Sequence, residues 1–200
     1  MPKFNGYNIK PEADLRGADL QGVNLNRADL REINLEGANL SNANLSGANL
    51  GGSNLKNIDL CKADLSGANL NKSNLRGADL YKAQLYNTNL IGTNFQGANL
   101  RMADLRIASF DSLLLNVANL SWADLFKADL RGANLINVDL RGANLQEANL
   151  CSTKFTHANL TMANLSGAEI NETEFQYANL CFANIDMLSL NDADTYGIKI

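Results

Sequence analysis

Every fifth residue from Leu15 to Leu190 is bulky and apolar, and the phase never slips. The run comprises 36 consecutive pentads, 30 of them centred on Leu and the others on Phe or Ile. A period this strict marks a repeat architecture, in which one small unit is stacked on copies of itself. The positions around the centre are equally constrained. Two residues before it stands Ala in 24 pentads, and one residue before it Asp or Asn in 29. The two residues after it are mostly polar, and Gly occupies the second of them in 12 pentads.

Neither regular element can use this pattern. On an α-helix a five-residue step turns the side chain by about 140°, so successive leucines would spiral around the whole cylinder. On a continuous strand, where the side-chain period is two, leucines five apart would alternate faces. A broken element fits. Ala and Leu, two apart, share the inner face of a short extended piece, and the Asp or Asn between them faces outward. The next two residues turn the chain, and Gly suits such a corner because it tolerates positive φ. Both prolines, Pro2 and Pro11, precede the first pentad. That is expected where nearly every backbone N–H is needed for pairing between stacked coils.

The A-(D/N)-L-x-x motif, as in Ala18-Asp19-Leu20-Gln21-Gly22, resembles the pentapeptide repeat family over about 180 of the 200 residues. The resemblance implies an all-β fold, a right-handed quadrilateral β-helix with four pentads per coil. About nine coils of 20 residues would span Pro11 to Asp192, a rod roughly 43 Å long at a coil spacing of ~4.8 Å. The expected organisation is an N-terminal cap over 1–12, the β-helix over 13–190 and a C-terminal cap over 191–200. Phe4, Tyr7 and Ile9 would fold over the first coil, and Tyr196, Ile198 and Ile200 would form a lid at the other end. Aromatics make only 6% of a chain that is 46% apolar, as a narrow interior filled with Leu and Ala requires. Residues 20 apart should share a column, so Phe155 and Phe175 should stack.

Breaks in the pattern are where a function can be written. Leu113, Leu114 and Leu115 put bulk where Ala and Asp or Asn are usual, which predicts a distorted coil. The last corner position on the Leu20 face runs Gly22, Asn42, Lys62, Lys82, Met102, Trp122, Gly142, Met162, Phe182. Its second half is apolar although the inward slots are already filled. With neighbouring Tyr81, the residues Met102, Trp122, Met162 and Phe182 form a candidate interface for a protein partner. The alternative occupant is a second copy of the chain, bound through this strip or through the C-terminal cap.

Charge and chemistry exclude much else. A net charge of −4 gives no basic footprint for direct nucleic-acid binding. The resemblance raises the opposite idea, because some pentapeptide repeat proteins mimic DNA and protect or inhibit DNA gyrase. The acids of the most acidic face are spread along the rod among Arg31, Lys72 and Arg131, whereas a mimic needs a dense single-sign stripe. His157 is the single histidine and has no acid partner in its pentad. No nucleophile, phosphate loop or metal-ligand signature is present, which predicts neither enzyme activity nor a metal or cofactor. Cys61 and Cys181 share a column at a separation of about 29 Å, beyond disulfide reach, and Cys151 lies on another face. Unpaired thiols, and no apolar run in Met1 to Glu12, predict a cytoplasmic protein with no membrane segment. The expected role is a non-enzymatic interaction scaffold, with topoisomerase-directed DNA mimicry as the alternative.

Overall fold

The computed structural model describes residues 3–4, 6–110, 118–186 and 189–200. Among the described residues the chain winds so that successive pentads form single parallel β-bridges with the pentads 20 residues further on, nearly without a break. Asp14 pairs with Asn34, Asp19 with Asn39, Asn24 with Asn44 and Asp29 with Asn49, and the same step repeats along the rod. Four pentads therefore make one turn, and the rod has four faces.

One pentad, Ile33 to Gly37, shows why the sequence must be what it is. The Ile33 N–H closes a turn onto the Leu30 carbonyl at 3.3 Å, and the Asn34 N–H reaches back to Ala13 at 2.9 Å. The Leu35 and Gly37 N–H groups reach forward to Asn54 at 2.8 Å and Lys56 at 2.9 Å. That leaves the Glu36 N–H, which donates to Oδ1 of Asn34 at 3.3 Å. All five donors are then satisfied, as backbone groups must be. Asp or Asn before the centre is thus an Asx acceptor for the one amide the ladder cannot use. Turns such as Leu30 to Ile33 need a left-handed third residue, here Glu32 at φ 57°.

Inside, the Leu and Ala columns fill the rod from Leu15 through Leu180. Where Ser or Thr replaces Ala, the hydroxyl is buried and bonded. Thr93 donates to the Leu70 carbonyl, Thr153 to Leu130 and Thr173 to Leu150, each at 2.7–2.8 Å. Phe155 and Phe175 stack as their spacing predicts, with centroids 5.2 Å apart and planes within 5°.

The two ends differ. At the N-terminus β1 (Lys3–Phe4) pairs antiparallel with β2 (Tyr7–Asn8) around Gly6. Tyr7 packs on the first coil and Ile9 is buried in it. At the other end a 3-10 helix, Ser189–Asp192, interrupts the pentads. Within the expected cap over 191–200 the ladder resumes, with Asp194 bridged to Glu174 and Lys199 to Asn179. The physical reason lies in the residues: Ala193-Asp194-Thr195-Tyr196-Gly197 is a pentad with Thr at its centre. Tyr196 and Ile200 are consequently exposed on the last rung, and Ile198 packs against the core. Among the described residues no helix is long and apolar enough to cross a membrane.

Candidate functional site

With the interior filled, the surface columns are what a partner can meet. The columns of Asx residues are tied to one another as well as to the backbone. Nδ2 of Asn54 donates to Asn34 at 3.0 Å, Asn69 to Asn49 at 3.0 Å and Asn144 to Asp124 at 2.9 Å. Where the sequence reads Asp-Leu-Arg, the two charged side chains stand side by side and fork together. Arg16–Asp14, Arg31–Asp29, Arg106–Asp104, Arg131–Asp129 and Arg141–Asp139 close at 2.6–2.8 Å. The hydrogen bond from the arginine holds the Asp29 and Asp129 carboxyls below the usual carboxylate range. Five of the 21 acids are therefore matched on the spot.

Other candidates for chemistry resolve into packing. The His157 ring stacks on Tyr177 with centroids 5.0 Å apart, and Tyr177 meets Tyr196 edge-on at 5.4 Å. The 20-residue spacing of His157 and Tyr177 made this contact legible, although sequence reasoning passed over it. Cys61, Cys151 and Cys181 are unpaired and half-buried. Burial, then the nearby Asp79 and Asp59, pushes the Cys61 thiol up. Among the described residues no cluster of His, Cys, Asp or Glu is arranged to hold a metal ion. Leu113, Leu114 and Leu115 lie outside the described residues.

The apolar corner column of the Leu20 face is exposed throughout. Met102 is 43% exposed, Trp122 55%, Met162 59% and Phe182 85%. All four adopt left-handed φ of 59–61°, the corner geometry, which turns their side chains off the rod. Gly142 interrupts the column in sequence but not in space. The Trp122 indole lies over it, so that a Cβ built on Gly142 would stand 2.5 Å from the ring. The strip thus continues from Met102 through the indole to Met162 and Phe182. Tyr81 has a different setting: Lys82 Nζ stands 5.2 Å from its ring centre and the Arg101 guanidinium 6.0 Å. Beside the strip, Arg101, Ser121, Trp122, Arg141 and Met162 line an open groove of about 490 Å³. Its two arginines lie one position before the corner column, outside the strip that spacing marks out.

Comparison with known proteins gives this surface a context. The model of the pentapeptide repeats matches eight copies, over residues 13–52, 43–80, 73–111, 118–156 and 152–185. Among solved structures the chain is similar to HetL, a pentapeptide repeat protein involved in heterocyst differentiation regulation from the cyanobacterium Nostoc sp. strain PCC 7120. The two are 33% identical over 94% of this chain and 85% of HetL, with a TM-score of 0.87. A trypsin-treated variant of QnrB1, a plasmid-mediated fluoroquinolone resistance protein, superposes with a TM-score of 0.65 at 17% identity. That match covers 94% of this chain and 89% of the other, and at such identity it speaks for the fold alone. No curated protein sequence matches the chain. The neighbours imply a right-handed quadrilateral β-helix, in agreement with the four-pentad turn. The chain belongs to the pentapeptide repeat family.

Proposed function

We propose that the protein is a non-enzymatic scaffold, a rigid β-solenoid rod of about nine coils that presents a protein-binding surface along one corner. The observation that carries this reading is the strip formed by Met102, Trp122, Met162 and Phe182, exposed in one line on a rod whose interior slots are filled among the described residues. Aligned apolar groups of this kind are retained on a soluble surface when something covers them. The likeness to HetL, a pentapeptide repeat protein involved in heterocyst differentiation regulation, supports a regulatory role for such a scaffold. Three unpaired thiols fit a reducing compartment, and the cytoplasm is the proposed location.

DNA mimicry has less support, because five of the acids are forked with arginines two residues away. Affinity capture from the source cells tests the leading reading, with the wild-type chain and a Trp122→Ala/Phe182→Ser variant as paired baits. Proteins held by the wild type should be lost from the variant, and identical sets would refute the role of the strip. A gyrase supercoiling assay tests the other reading, since inhibition or protection by micromolar protein would restore DNA mimicry.

A further inference from the structure

We propose that the partner of this corner is an acidic protein segment, one in which a cluster of Asp or Glu side chains lies next to an aromatic or aliphatic anchor. The proposal rests on the binding role of the strip and adds the chemistry of what binds there. The corner column that is apolar from Met102 onward is basic just before it, at Lys62 and Lys82, and Arg101 follows on the adjoining position of the next rung. None of these three cations forms an ion pair among the described residues, whereas the forked arginines, Lys127 and Lys154 all do.

The difference is written in the repeat. Arg101 follows Asn99, whereas each forked arginine follows Asp by two. Lys127 is followed one rung later by Glu147, its partner at 3.3 Å, but Lys62 is followed by Lys82 and then Met102. Asp59 and Asp79 share the face and offset part of the charge, leaving three cations against two carboxylates, whose Oδ1 atoms are turned to the N–H of Cys61 at 2.8 Å and of Tyr81 at 3.0 Å. Lys56 and Arg76 are another such pair of cations, on the Leu15 face, but among the described residues no exposed apolar strip continues from them.

Shape agrees with charge. Tyr81 holds Lys82 and Arg101 against its ring where the basic half meets the apolar half. The groove between Arg101, Trp122, Arg141 and Met162 offers a seat for an anchoring side chain. From Lys62 to Phe182 is six rungs, about 29 Å at ~4.8 Å each. That is the length of roughly 19 helical residues at 1.5 Å per residue. A second copy fits less well. An antiparallel two-fold centred on Gly142 would set Met102 on Phe182 and Trp122 on Met162, but Arg141 on Arg141. A parallel two-fold would set Lys62 on Lys62 and Lys82 on Lys82. Like charges brought together oppose association, and an acidic occupant meets neither obstacle.

A random peptide library displayed on phage, selected on the purified full-length protein, tests this. Enriched peptides are titrated by the fluorescence of Trp122, the single tryptophan of the chain. Enriched sequences should carry two or more Asp or Glu beside an aromatic or aliphatic residue, and their binding should weaken as salt is added. A Lys62→Glu/Lys82→Glu/Arg101→Glu variant should bind them at least tenfold more weakly, and a Met162→Ala/Phe182→Ser variant should lose them. Circular dichroism of each variant verifies that the rod is intact. Peptides that need the strip but show no acidic bias would overturn the inference while leaving the binding role standing. Selection of no strip-dependent peptide would count against both. Sedimentation of the free protein as a strip-dependent dimer, or a Trp122 response to a DNA oligonucleotide in place of peptide, would also overturn it.

Discussion

Replacing Asn144 by Ala tests whether the Asp or Asn of each pentad is there to accept the amide that the ladder leaves over. Oδ1 of Asn144 accepts the Gln146 N–H at 3.2 Å, and its Nδ2 donates to Asp124 Oδ1 at 2.9 Å. The backbone bonds of Asn144, to Ala123 at 3.0 Å and from Leu125 at 2.7 Å, do not depend on the side chain. Oδ1 also accepts from Asn164 Nδ2 at a long 3.4 Å. The two shorter side-chain hydrogen bonds at about 1 kcal/mol each put the loss near 1–2 kcal/mol, at the low end where water can replace the acceptor. Global unfolding is a poor ruler here, because long repeat arrays need not unfold in one step. Hydrogen exchange at the Gln146 amide is the direct assay. In Asn144→Ala it should speed up by roughly five- to thirtyfold, the factor that corresponds to 1–2 kcal/mol. Asn144→Asp keeps the acceptor while removing the donor and setting a carboxylate beside Asp124. It should leave the Gln146 amide protected to within about twofold while still lowering stability by about 1 kcal/mol. Unchanged exchange at Gln146 in Asn144→Ala, or equal deprotection in both variants, would refute the Asx argument.

Three further outcomes follow from the geometry. Leu100→Ala empties a fully buried slot and should cost about 2–5 kcal/mol by denaturant unfolding. Its loss of exchange protection should centre on the rungs above and below, as nearest-neighbour coupling requires, and uniform loss along the rod would contradict that. Arg131→Gln should cost about 0.2–1 kcal/mol at neutral pH, near the low end because both partners are more than a third exposed. Since Arg131 lowers the folded pKa of Asp129, that stability is present above the ordinary carboxylate range and lost as pH falls through the lowered value. Wild type and variant should then converge in acid melts, and a difference that persists would point to packing. Gly142→Ala places a Cβ against the Trp122 ring at a position with φ 64°, so the indole must move. A shift of the tryptophan emission maximum is expected, with a cost of about 1–2 kcal/mol for the left-handed residue. An unchanged spectrum would show that the ring does not rest on Gly142.

What could be read from the residues, and what could not, divides along the repeat itself. Core columns are a matter of counting by 20, so the Phe155–Phe175 stack is legible in the sequence. The corners were half legible. Gly at 12 of them announced positive φ, but Trp122, Met102 and Lys82 adopt it too, at 56–61°. Pairing on both sides of each corner overrides a preference worth only about 1–2 kcal/mol per residue. The C-terminal rung is hidden from a count of Leu, Phe or Ile centres. Thr195 broke that rule while Asp194 and Gly197 kept the rest of the motif, and the ladder bonds of Asp194 and Lys199 do not require a bulky centre. The strip shows a different limit. Its members could be placed in one column by spacing alone, yet spacing treated Gly142 as a gap and Tyr81 as a member. Spacing does not give side-chain direction: the indole leans one rung forward over Gly142, and Tyr81 lies against Lys82 and Arg101. A strict repeat therefore makes the backbone and core readable from composition at each position. The surface stays a question of how each long side chain falls across its neighbour on the next rung, and that is where this rod differs from any other built on the same five residues.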